Sequence, residues 1–343
     1  MWDLILGKYV VGEEKGKGVK IFPKTKTNNA NETKKEVKRG KVSSIQLLQL
    51  MMMAADGWYV YNGREAVPLG VTRVRIHESL TVIPADAFDG NRSIEELECH
   101  DRVKTVGERA FCNCPSLRLV RMPGVEVVER GAFSCCKALA DVECGKLEII
   151  GGGAFWRCTS LTSINLPSAK IVELYAFSNC TALTNVEFGK ELESIRGGAF
   201  YSCTSLERIT IPLKEGMITA DNIFQGCKKL VRVDLVEGEV LRDTTAALLL
   251  EEWRNDMNDK LGAINQILPT IPAGDDYYVG GKAMAIRRRI RSVLGKIVQY
   301  KAQHRSLLNE AATTLQLASP NDVVLENVLP FLKLPSYTFE GED

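Results

Sequence analysis

Residues 155–167, Phe-Trp-Arg-Cys-Thr-Ser-Leu-Thr-Ser-Ile-Asn-Leu-Pro, and residues 200–212, Phe-Tyr-Ser-Cys-Thr-Ser-Leu-Glu-Arg-Ile-Thr-Ile-Pro, are two copies of one pattern. Working outward from them, the register extends to Phe88, Phe111, Phe133, Phe155, Phe177, Phe200 and Phe224, spaced 23, 22, 22, 22, 23 and 24 residues apart. Three residues after Phe come Cys114, Cys136, Cys158, Cys180, Cys203 and Cys227, with Asn91 in the first unit, and six residues after it comes Leu or Ile. Self-similarity at this period means that no unit buries its own apolar face, so neighbouring units stack to share one core.

Nine and eleven residues after Phe stand apolar pairs such as Val120 and Met122 or Ile164 and Leu166. This alternation predicts a short strand with one face inward, paired in parallel with the strands of the turns above and below. Val74 and Ile76 open the series, which gives eight strands between about residues 71 and 236, inside a folded region of 58–238. The half of the unit that reads Leu-x-x-Ile-x-x-x-Ala-Phe, as at Leu147, Ile150 and Phe155, has no strand period and is expected to be an irregular outer side with Phe filling the core. Gly151–Gly153 and Gly197–Gly198 precede Ala-Phe where the backbone must bend, and no Gly-Lys-Ser or Gly-Lys-Thr follows to make a phosphate loop.

The run F-x-x-C-x-x-L-x-x-I-x-L-P, present at Phe155–Pro167 and in near form at Phe200–Pro212, resembles the BspA-type leucine-rich repeat, a family of bacterial surface proteins much expanded in protists and algae. The resemblance covers about half the chain. It implies a leucine-rich-repeat solenoid of parallel strands and a non-enzymatic recognition surface, and it names no partner. Departures sit at the ends of the array, where Asn91 replaces cysteine and the unit Met217–Phe224 is irregularly spaced. Terminal repeats face a cap or solvent and are expected to deviate.

All ten cysteines lie between Cys99 and Cys227. Equivalent positions on stacked turns point the same way, so the six register cysteines are expected to form a ladder of buried, reduced thiols rather than disulfides. Neither Cys112 with Cys114 nor Cys135 with Cys136 has metal-ligand spacing, so no metal or other cofactor is expected.

Residues eight and ten after Phe alternate with the buried pair and are expected to face outward. They supply the candidate partner-binding stripe: Arg73, Arg75, Glu96, Glu98, Arg121, Asp141, Glu143, Asn165, Asn185, Glu187, Arg208 and Arg232. The stripe mixes charges, with acids gathered mid-array, which fits a protein partner rather than nucleic acid. The whole chain agrees, with a net charge of +1 and no field to draw an anionic polymer or membrane.

Beyond Gly238 the period becomes helical. Leu250, Trp253, Met257, Leu261, Ile264 and Leu268 predict a helix over 244–268, and Ile286, Ile290, Val293, Ile297, Tyr300, His304, Leu307 and Ala311 predict a second over 282–317 with a heptad seam. This C-terminal hairpin, residues 241–318, either caps the solenoid or pairs as a coiled coil with a second copy. Its second helix carries Arg287, Arg288, Arg289, Arg291, Lys296, Lys301 and Arg305, read as a solvated face partly neutralised by Asp256 and Asp259 of the first helix. Residues 1–50 read as a basic, disordered extension, with Met51–Met53 suited to a translation start, and residues 319–343 as a tail. No membrane-length apolar stretch and no convincing signal peptide are present, so a cytoplasmic location is expected, with the basic helix allowing a nuclear one.

No catalytic motif is present, and only His77, His100 and His304 exist, the last on the helical seam. The sequence therefore reads as a non-enzymatic protein-interaction module or adaptor binding through the outward face of the repeat sheet. The alternative is a structural or dimerising protein acting through residues 282–317.

Overall fold

A computed structural model describes residues 9–14, 18–23, 57–64, 67, 68, 70–236 and 281–318, with Asn255, Asp259, Gly262 and Leu268 between them. Two series of parallel strands build the solenoid. The front series is Tyr59–Tyr61, Arg73–Ile76, Glu96–Glu98, Leu119–Arg121, Asp141–Glu143, Ser163–Leu166, Asn185–Phe188, Arg208–Pro212 and Arg232–Val236. Their inward residues, such as Val74, Leu97, Val120, Val186 and Ile209, are buried, while their neighbours face out. The strand at Tyr59–Tyr61, which pairs in parallel with Arg73–Ile76, adds one to the eight expected.

The outer side is not irregular. Val82–Ile83, Thr105–Val106, Val127–Val128, Ile149–Ile150, Ile171–Val172 and Ser194–Ile195 form a continuous six-stranded parallel ladder. Each strand is only two residues long, too short to show an alternation in sequence. The second residue of each is buried and the first is turned outward. In the last unit, Met217–Phe224, this strand shrinks to a single bridge between Ile195 and Ile218, followed by a 3-10 turn at Asp221–Phe224.

Between the two series the Phe rings stack, with centroids 4.5 Å apart at Phe88 and Phe111 and 5.2–5.8 Å apart thereafter. Tyr61 closes the stack beside Phe88 at 4.7 Å. The backbone joins in, because Phe88, Phe111, Phe133, Phe155 and Phe177 each donate their amide N–H to the Ala carbonyl of the following turn at 2.7–2.8 Å. In the first six turns the residue two before Phe sits in the left-handed region, at φ of +54° to +65°. Glycine holds that place at Gly131, Gly153 and Gly198, where it is unstrained, but Asp86, Arg109 and Tyr175 hold it in the other turns.

Helix α1, Lys282–Ala318, falls within one residue of its expected range. Its first half packs on the last turn, burying Ala283, Ile286 and Ile290 in the common core, and Leu268 joins the same cluster. Asn255, Asp259 and Gly262 have helical backbone, and apart from these and Leu268 the helix expected at 244–268 lies outside the described residues. So does the tail at 319–343. In the N-terminal extension, Tyr9–Glu14 and Gly18–Pro23 pair as antiparallel strands. This departs from the expectation of disorder drawn from composition, and the alternation of Val19 and Ile21 after Gly16 is the local signal that composition averages away.

Candidate functional site

The outward side chains of the front sheet are aligned by strand register. Arg73 lies beside Glu96, Arg75 beside Glu98, Asp141 beside Leu119, Glu143 beside Arg121, Asn165 beside Glu187 and Arg208 beside Arg232. Parallel pairing with no slip puts side chains 22 or 23 residues apart within reach of each other, and opposite charges at those places close into ion pairs. Arg73 meets Glu96 at 3.3 Å, Arg75 meets Glu98 at 2.8 Å and Arg121 meets Glu143 at 3.0 Å. Arg118 adds contacts to Glu95 at 3.0 Å and Glu96 at 3.2 Å, leaving the Glu96 side chain 13% exposed. The Trp58 ring lies 4.9 Å from the Arg75 guanidinium and 5.6 Å from that of Arg73. At the other end Asp234 pairs with both Arg208 and Arg232.

Thus the stripe is brought together as a surface, but its two ends are occupied with their own cross-strand pairs. Its middle differs. Asp141, Ser163 and Asn165 have no ion-pair or side-chain partner among the described residues, and Glu187 accepts a hydrogen bond from Asn185 Nδ2 at 3.0 Å. The Asn185 Oδ1 atom is buried with no partner among the described residues. Here, too, the backbone register lapses. Asp141–Glu143 and Ser163–Leu166 are not joined as a ladder, and the front series divides into a five-stranded and a four-stranded sheet while the back ladder runs on from Val127 through Ile149 to Ile171.

The register cysteines line the interior. Each thiol reaches back to the Phe carbonyl of the preceding turn: Cys114 to Phe88, Cys136 to Phe111, Cys158 to Phe133, Cys180 to Phe155, Cys203 to Phe177 and Cys227 to Phe200, all at 3.0–3.2 Å. The carbonyls of Phe133, Phe155, Phe177 and Phe200 also take the amide of the cysteine in their own turn, as Phe155 does from Cys158 at 3.2 Å. Both lone pairs of a buried carbonyl are thereby used. Burial pushes the Cys180 thiol up to about 12, and burial also raises Cys136, Cys158 and Cys203. Asn91, in the cysteine place of the first unit, instead takes the amides of Ser93 at 2.9 Å and Ile94 at 3.1 Å on its own side-chain oxygen.

The basic helix is also redefined. Arg287 pairs with Asp221, and Arg291 meets Glu215 at 3.0 Å, so these charges anchor α1 to the last turn of the solenoid. Lys282, 4% exposed, donates to the carbonyls of Cys227 at 3.0 Å and Leu230 at 2.6 Å, and burial lowers its pKa. Asp256 lies outside the described residues. The position of Lys282 gave no signal in the sequence, since it reads as an ordinary first residue of a helix.

Among the described residues no helix is long and apolar enough to cross a membrane, and no group of three or more His, Cys, Asp or Glu side chains is placed to hold a metal ion. Stacked turns of 22 to 24 residues, with parallel strands in front and a short ladder behind, define a leucine-rich-repeat protein. The chain belongs to the family of the BspA type leucine rich repeat region, whose model matches six copies over residues 69–171 and 148–242. Repeats of this kind are in general protein-interaction scaffolds.

Solved structures that resemble it include a leucine-rich repeat protein from Bacteroides ovatus, 26% identical over 49% of this chain and 43% of that one, at a TM-score of 0.41. The T. pallidum leucine rich repeat protein is 22% identical over 58% of this chain and 92% of its own, at a TM-score of 0.34. An internalin from Listeria monocytogenes is 11% identical over 50% of this chain and 63% of its own, at 0.26. The chain spans less than half the length of the B. ovatus protein. No curated protein matches it.

Proposed function

We propose that the chain is a non-enzymatic interaction module or adaptor, and that a protein partner engages the middle of the front sheet. The observation that carries this reading is the contrast along the stripe. Arg73, Arg75, Glu96, Glu98, Arg121 and Arg208 are held in cross-strand pairs and Arg232 in a pair along its own strand, while Asp141 and Asn165 keep their hydrogen-bonding capacity. Exposed pairs contribute little to stability, so the unpaired centre is where a partner gains contacts without first breaking any. The test compares baits of wild type and an Asp141→Lys, Asn165→Lys double variant on one defined partner recovered by affinity capture. Loss of that partner, with melting temperature unchanged, supports the reading; undiminished capture moves the site off this face.

The dimerising alternative rests on α1. Its buried positions among the described side chains are Lys282, Ala283, Ile286, Ile290, Val293 and Ile297, and the rest of the expected heptad seam, Tyr300, His304, Leu307 and Ala311, lies outside the described side chains. Sedimentation at micromolar concentration separates the readings, since a monomer removes the coiled coil between copies. The ten thiols support a reducing, cytoplasmic location. Imaging of the tagged chain tests that location against the nucleus.

A further inference from the structure

The turn edge that carries the Ala-Phe dipeptides is a second surface, built separately from the front sheet. Three and two residues before Phe, the fourth turn has Gly152–Gly153 and the sixth Gly197–Gly198, but the fifth, between them, has Leu174–Tyr175. Leu174 is 51% exposed and Tyr175 48%, and Tyr175 holds φ of +57°, an unfavourable conformation for a bulky L residue. A Cβ on Gly198 would lie 2.4 Å from the Tyr175 ring, so the ring lies over the bare backbone of the next turn. The flanking turns add Trp156 and Tyr201, each one residue after Phe and each partly exposed. The Arg157 guanidinium covers the Trp156 ring at 4.3 Å.

These features set both the shape and the charge of what fits. Phe rings of these turns are 5.2 and 5.4 Å apart, so the places of Trp156 and Tyr201, two turns apart, are separated by about 10 Å. A polyproline helix presents the same face every three residues, about 9 Å, and docks on grooves lined by Trp and Tyr. Arg157 and, one turn earlier, Arg130 are exposed and have no carboxylate partner among the described residues. Scattered exposed apolar residues need no explanation, but a strained aromatic seated between diglycines, with Trp156 and Tyr201 one turn to either side and arginines that have no carboxylate partner among the described residues, has the composition of a binding hot spot.

We propose that this edge docks an extended, proline-rich peptide whose acidic residues meet Arg130 and Arg157. The test uses the full chain and a fluorescein-labelled peptide, Glu-Glu-Pro-Pro-Leu-Pro-Pro-Leu-Pro, followed by anisotropy. Saturable binding is expected, weakened about tenfold or more by Trp156→Ala and by Tyr175→Gly. The second variant also relieves the backbone, so its melting temperature should equal or exceed that of wild type, which separates lost binding from lost fold. Replacing both Glu of the peptide by Gln should weaken binding to wild type but not to Arg130→Glu. Absence of saturable binding, affinity indifferent to Tyr175→Gly or to the Gln peptide, or capture of cellohexaose in place of the peptide, would each overturn the proposal.

Discussion

An interior turn and the last turn of the array satisfy buried carbonyls with different donors. In the interior, Cys180 gives its thiol proton to the Phe155 carbonyl one turn back, and Phe177 in turn receives the thiol of Cys203. At the end no thiol follows Cys227 among the described residues, and α1 brings the Lys282 ammonium onto two other carbonyls of the last turn, those of Cys227 and Leu230. A weak neutral donor suffices where each turn repeats its neighbour, whereas the boundary takes a charged one, buried and flanked by the Arg287–Asp221 and Arg291–Glu215 pairs. Repetition supplies the partners inside; at the end a dissimilar element must supply them.

The sharpest way to break this comparison is to remove a ring from the middle of the stack. Phe155→Ala takes a fully buried ring from between Phe133 and Phe177 and should cost about 3–5 kcal/mol in chemical denaturation, through lost burial and the cavity left behind. If the array tolerates it with less than about 1 kcal/mol, the turns are not energetically coupled through the stack. Next comes the boundary: Lys282→Met strips the donor from two buried carbonyls and should cost about 2–3 kcal/mol, with hydrogen exchange rising in the last turn before the first. Uniform loss of protection along the array would deny α1 its role as an end cap.

Alkaline titration comes third. The Cys180 thiol titrates about 12 when folded against an ordinary 9.0, so its folded value is raised. Such a group adds stability that is complete below the unfolded value and lost as pH climbs toward the folded one. Melting temperature should therefore fall between pH 9 and 12, and less steeply in Cys180→Ala once its own lower baseline is subtracted. The smallest effect is expected on the front face: Arg121→Ala opens an exposed cross-strand pair with Glu143 and should change stability by less than about 1 kcal/mol.

Much of this architecture could be read from the chain because the repeat imposes a single register on every unit. The Phe, Cys and Leu places, the front strands and the bounds of α1 follow from spacing alone. Once the register is known, so do the pairs of Arg73 with Glu96 and Arg121 with Glu143, which are 23 and 22 residues apart. The back ladder did not show, because two residues such as Ile149–Ile150 carry no period. The strand at Tyr59–Tyr61 stands only fifteen residues ahead of its partner at Val74 and so falls off the repeat. The lapse between Asp141–Glu143 and Ser163–Leu166, which marks the candidate site, leaves no trace in residue type, and the apolar Leu174–Tyr175 pair was passed over because it lies where neighbouring units have glycine.

The bonds of the six register thiols all run one way, from each turn to the one before it, and this gives the array a grammar of identical joints. Excising one unit, for instance residues 156–177, would set Phe155 directly before the stretch that now follows Phe177, so that Cys180 would take the place of Cys158 and find the carbonyl of Phe133 where Cys158 had found it. Duplicating a unit would be equally neutral for every joint but its own. The number of turns, and with it the length of the recognition face, is thus free to change by whole units in a gene's history without any compensating substitution, provided the two ends, with Asn91 at one and Lys282 at the other, stay in place.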